Sequence, residues 1–178
     1  MRGQAIGRPR PRNIPRNLSL RAEPAYDPGM SEVDRDALVA GLVAAVVSGV
    51  PSTAWALACR RDVLAAGRAA GTLVLPYERR TVPLLLAAVP VHAALSLGWA
   101  GALARILPRE REPLSGAAAG LAIAALDLGV IGRRISAIRA LEQLPQWLDH
   151  VAFGLAVGAV LRARRRGRVC PTVTSAAP

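Results

Sequence analysis

Long stretches of this chain lack the polar stripe that a water-facing helix requires. A helix on a soluble core carries polar side chains over about half of its circumference. From Ala37 through Cys59 no residue is charged, and the polar side chains are Ser48, Ser52 and Thr53. Between Pro113 and Gly132 the strongly polar side chains are Ser115 and Asp127. At ~1.5 Å of rise per residue, about twenty residues cross the ~30 Å hydrocarbon layer of a bilayer. The pattern predicts spans over about residues 37–59, 82–104, 113–132 and 147–161. The last is short and is expected to begin in the interface, with Trp147 as its anchor. The fold class that follows is all-α, a polytopic transmembrane helical bundle of about four spans occupying residues 35–165.

Local signals refine these elements. Pro51 predicts a kink near Ser48-Gly49, because it lacks an N–H and its ring crowds the preceding turn. Pro83 and Pro113 stand where proline is tolerated, in a first helical turn. Residues 63–75 are apolar except for Arg68 and Thr72 and are too few to span. They read as an interfacial or re-entrant helix with Arg68 reaching the head groups, and Pro76 ends it. Residues 1–34 read as a disordered tail, since the run Arg8-Pro9-Arg10-Pro11-Arg12 and the prolines at 15, 24 and 28 have no apolar period. No apolar core follows the basic start, so this is not a signal peptide. Met30 opens Met-Ser-Glu-Val-Asp-Arg-Asp directly ahead of the first span and is a candidate natural start, which would make residues 1–29 an over-extension. Residues 166–178 form the expected C-terminal tail.

Composition sharpens the membrane reading. Apolar residues make up 52% of the chain but aromatics only 3%. Ala, Leu, Val and Gly suit close helix–helix contact in lipid better than a soluble core. All 23 basic residues are arginine, against 12 acidic ones, for a net charge of +11. The arginines bracket the spans and form no face interleaved with aromatics, which argues against nucleic acid and for lipid. Arg162, Arg164, Arg165 and Arg166 are expected to meet anionic head groups. An even number of spans puts both termini on one side, and this arginine cluster points to cytoplasmic termini in the plasma membrane. Cys59 and Cys170 lie far apart with no metal-ligand spacing, so neither a metal nor a cofactor is implied.

Small residues mark the faces on which lipid-embedded helices associate. Gly116 and Gly120 form a GxxxG pair on the third span, and Gly154 and Gly158 another on the fourth. On the first span Gly41, Ala45, Ser48 and Ser52 share one face. The ionisable residues fall on such faces. Asp127 lies eleven residues after Gly116 and seven after Gly120, on the same stripe. His150 precedes Gly154 by one turn. An Asp near mid-helix costs ~2.5–3.5 kcal/mol on insertion, about as much as the apolar residues of that span return. Asp127 therefore needs a partner, and His150 is expected at the same depth on the antiparallel fourth span, with Asp149 nearer the head groups. His92 admits two readings: a neutral histidine bonded to a carbonyl of a neighbouring helix, or a proton-carrying or ligand group.

The strings Ser48-Gly49-Val50-Pro51-Ser52-Thr53, Ala87-Ala88-Val89-Pro90-Val91-His92, Ala124-Ala125-Leu126-Asp127-Leu128-Gly129 and Leu144-Pro145-Gln146, with Asp149-His150, resemble small four-helix integral membrane proteins of actinobacteria with no established activity. The resemblance covers about residues 35–165 and implies fold and localisation, with no mechanism. Three functional classes stay open. The first is a structural or assembly component that acts by helix contact, as a homo-oligomer or with a membrane partner protein. The second is a small proton-coupled transporter or channel component using His92, Asp127 and His150. The third is an embedded enzyme, for which no HExxH, GxSxG or phosphate-loop motif and no catalytic residue is found.

Overall fold

The computed structural model describes residues 29–169, and among them every regular element is a helix. Four helical regions are long and apolar enough to cross a membrane: Glu32–Ala58, Thr81–Ile106, Glu112–Arg134 and Gln143–Arg168.

The first region is two helices, α1 (Glu32–Val47) and α2 (Val50–Ala58), broken at Ser48-Gly49. The Ser31 side chain caps α1 by accepting from the Asp34 N–H, with Glu32 and Asp34 in the first turn, where acidic groups complement the helix dipole. Pro51 sits in the first turn of α2, where its missing N–H costs nothing. Past the end of α2, Arg60 adopts a left-handed backbone with φ 51°. The Arg61 N–H then reaches back to the Ala56 carbonyl at 2.7 Å, which closes the helix end.

A short α3 (Ala65–Gly71) falls within the 63–75 segment and packs on the start of α4 (Thr81–Ile106). A Cβ at Gly71 would run into the Leu84 backbone, so only glycine permits that approach. The third region starts as α5 (Glu112–Leu126), widens into one π-helical turn over Asp127–Ile131 and tightens into a 3-10 turn over Gly132–Arg134. The Gly132 N–H bonds the Asp127 carbonyl, and a Cβ there would lie 2.8 Å from that oxygen. After the small α6 (Ser136–Arg139) comes α7 (Gln143–Val169).

The start of α1 and both ends of α7 differ from the sequence expectation. Helix α1 begins at Glu32, inside the stretch assigned to the tail; residues 1–28 lie outside the described ones. Helix α7 begins four residues earlier and ends eight residues later than the predicted 147–161 span, so residues 166–169 are helical. The apolar pattern stops at Leu161, but the arginines beyond it find carboxylates on α1 and α5, and those pairs carry the helix onward.

The long helices alternate in direction and stand side by side in the order α4, α1, α7, α5. Helix α1 packs on both α4 and α7, while α5 packs extensively on α7 alone among the long helices. The core uses small residues where backbones approach, Ala37, Ala40, Ala44, Ala100 and Ala104. Larger ones fill toward α7, namely Leu103, Ile123, Phe153, Val157 and Leu161.

Candidate functional site: polar groups between the helices

The α5–α7 contact is made through glycine on both sides. A Cβ on Gly116 would meet the Gly154 carbonyl, on Gly120 the His150 carbonyl, on Gly154 the Gly116 carbonyl and on Gly158 the Glu112 carbonyl. Each obstacle is backbone, so the two helices touch at their main chains. Gly41 faces α4, where a Cβ would lie 3.0–3.3 Å from Leu97 and Ala100.

This close approach brings the ionisable residues together. Asp127 is in the π turn, and its Oδ2 lies 3.5 Å from His150 Nε2 on α7, both side chains about a quarter exposed. His150 Nδ1 is 2.8 Å from the Gln146 carbonyl, one turn back on its own helix. A carbonyl only accepts, so Nδ1 carries a hydrogen there. Nε2 then faces the Asp127 carboxyl, and a single proton on either partner makes the meeting attractive rather than lone pair against lone pair.

Asp149 faces the start of α2. Its Oδ1 accepts from the Ser52 backbone N–H at 2.8 Å. Ser52 is in the first turn of α2, whose N–H groups lost their partners when Pro51 broke the helix. A carboxylate from α7 thus caps a helix that starts inside the span, and the positive end of that helix favours the negative charge. Around the same break, His92 Nε2 donates to the Ala45 carbonyl at 2.8 Å. Ala45 lies in the last turn of α1, whose carbonyls are orphaned by the break. His92 and Asp149 thus bind the two sides of one discontinuity, and His92 lies within electrostatic range of Asp149. The sequence marked both the break and the histidine, but not that one explains the other.

Sequence reasoning missed a second polar layer, at the end of the bundle near the described termini. Asp36 and Glu112 are only 2% and 1% exposed. Asp36 receives Arg164 Nε at 2.6 Å and a two-pronged contact from Arg168. Glu112 pairs with Arg165, which also donates to the Ala104 carbonyl at 2.7 Å. Arg105 pairs with Asp34 across α4 and α1. Arg164 and Arg165 therefore hold α7 to α1, α4 and α5, whereas Arg162 and Arg166 have no carboxylate partner among the described residues. An available signal was the placement of acidic residues at the starts of spans one and three, level with the arginines that end span four.

Among the described residues no group of three or more His, Cys, Asp or Glu is placed to hold a metal ion. Comparison with protein-family models, curated proteins and solved structures gave no match, and so nothing that bears on the actinobacterial resemblance.

Proposed function

We propose that this protein is a structural or assembly component of the plasma membrane, working through helix contacts with a second copy or a membrane partner, with both termini cytoplasmic. The observation that carries the reading is a second small-residue stripe on α5. One side of that helix, through Gly116 and Gly120, is taken by α7. On another, Ala118, Ala122 and Ala125 follow at four- and three-residue steps, all exposed, with Leu114 and Leu121 alongside. Such a stripe lets a further helix approach closely, as the glycine face does for α7. The polar groups support the same reading, because His92, Asp149 and His150 each bond backbone of this chain. The arginine cluster after Leu161 supports the orientation.

Cross-linking in native membranes tests this. Single cysteines at Leu121 or Ala122, with Cys59 and Cys170 replaced by serine, should give a defined cross-linked species that Ala118→Ile abolishes. A chain that stays monomeric in lipid nanodiscs and cross-links to nothing in its own membrane refutes the proposal.

The Asp127–His150 pair favours a second reading, a small proton-handling transporter or channel component. Proteoliposomes with wild type, His92→Ala or His150→Gln discriminate. Proton flux that either substitution removes supports it, and absence of flux in wild type leaves the assembly role.

A further inference from the structure

A cleft of about 390 Å³ opens between the π turn of the third region, α6 and the first turns of α7, lined by Leu128, Gly129, Arg133, Arg139, Gln143 and Trp147. Its volume falls within the ~300–1,000 Å³ of ligand sites. We propose that this cleft binds the phosphate head group of an anionic lipid, with Arg133 and Arg139 as its guanidinium clamp.

The local charge is uncompensated. The carboxylates closest in sequence are engaged elsewhere: Asp127 faces His150, and Glu142 takes Arg61 and the Trp55 indole N–H. Arg133 and Arg139 have no ion-pair partner among the described residues. The side-chain amide of Gln143 donates to the Ile138 and Leu141 carbonyls at 3.2 and 3.0 Å, so it holds α6 in place and does not contribute a donor. The donors left for a ligand are two guanidiniums, each able to take a phosphate with two parallel bonds, and the Trp147 indole N–H.

The position argues for a lipid as the source of the phosphate. Arg134 closes the third candidate span and Gln143 opens the fourth, so the cleft lies at head-group level, at the end of the bundle remote from the described termini. Leu128 lines one wall, and the neighbouring Val130, Ile131 and Leu144 are exposed where acyl chains would run. Trp147 is the kind of side chain that settles at this boundary. Gly129 lines the cleft, a Cβ built on it meets nothing within 4 Å, and no described glycine has positive φ. A larger side chain at 129 should therefore enter the cleft without straining the helix.

The test uses the full chain in a neutral detergent, with binding read by native mass spectrometry and thermal unfolding. The probes are phosphatidylglycerol, phosphatidylcholine and inorganic phosphate alone. Wild type should bind one phosphatidylglycerol at least about tenfold more tightly than phosphatidylcholine, and melt at higher temperature with it. The double variant Arg133→Gln/Arg139→Gln should lose that preference, and so should Gly129→Leu, which keeps both arginines. Arg109→Gln/Arg111→Gln, which removes two exposed arginines at the other end, should bind as wild type. The proposal is overturned if phosphatidylglycerol is not preferred, or if the cleft variants bind like wild type. Loss in the arginine variant alone assigns the effect to general surface charge and overturns it equally. Equal stabilisation by inorganic phosphate overturns the lipid as source.

Discussion

Replacing Gly154 by alanine adds one methyl group at the tightest point of the molecule. The new Cβ would lie 2.8 Å from both the Gly116 carbonyl carbon and the Gly120 nitrogen, and nearer still to the Gly116 oxygen. Ordinary contact begins at 3.4 Å, so α5 and α7 must separate by at least 0.6 Å, the difference of the two. A gap of this size forfeits about a quarter or more of each dispersion contact it opens. For as many atom pairs as one buried leucine makes, ~40–60 at ~0.1–0.2 kcal/mol, the loss is about 1–3 kcal/mol. Alanine returns ~0.8–1 kcal/mol of helix propensity. Gly98, inside α4, supplies the control, because a Cβ there meets nothing within 4 Å. Gly98→Ala should keep the whole propensity gain. Gly154→Ala should thus be about 1–3 kcal/mol less stable than Gly98→Ala, since both share the propensity gain and only the first loses packing. Unfolding in mixed detergent, followed by far-ultraviolet circular dichroism, measures both. Equal stability of Gly154→Ala and Gly98→Ala would show that α5 and α7 do not meet at their backbones.

The buried ion pairs make a sharper prediction: Arg165→Ala leaves Glu112 inside without its partner and should cost about 3–5 kcal/mol. Glu112→Gln keeps a hydrogen-bond acceptor and should cost clearly less in the same titration. Asp127→Asn should be tolerated, while Asp127→Leu should lose about 0.6–1.7 kcal/mol, the range for interhelical hydrogen bonds in bilayers. Equal detergent stability of those two variants rules out a structural role for the Asp127–His150 pair. Arg60→Gly relieves a left-handed backbone costing ~1–2 kcal/mol and, less the ~0.5–1 kcal/mol entropy of glycine, should stabilise by about 0.5–1 kcal/mol, read as a raised unfolding midpoint. In the loop before α4, the Arg80 guanidinium, then the N–H groups of Arg80 and Arg79, hold the Glu78 carboxyl at about 2, below its ordinary 4.5. Its contribution is complete above about pH 4.5 and fades as pH falls toward 2, so Glu78→Gln should flatten the acid limb of the melting-temperature profile. An unchanged acid limb in that variant assigns the dependence to other carboxylates.

Hydropathy and proline placement determined much of this architecture. Runs without a polar stripe permit few folds besides spanning helices, and Pro51 marks a break wherever the helix is placed. The GxxxG spacings and the stripe joining Asp127 to Gly116 and Gly120 are periodic properties, legible because a helix converts spacing into direction. Which helices stand side by side was not legible, since three of the four spans offer a small-residue face and spacing names no partner. The order α4, α1, α7, α5 follows from which faces meet: at glycine between α5 and α7 and between α1 and α4, and without one between α1 and α7. The same holds for charge. Arginines after Leu161 look alike in sequence, but only the tertiary structure separates Arg164 and Arg165, which neutralise buried carboxylates on α1 and α5, from Arg162 and Arg166. Asp149 could be assigned no role until α2's N-terminus came within 2.8 Å. A capping bond between residues 97 positions apart depends on packing, and packing leaves no local trace in the chain.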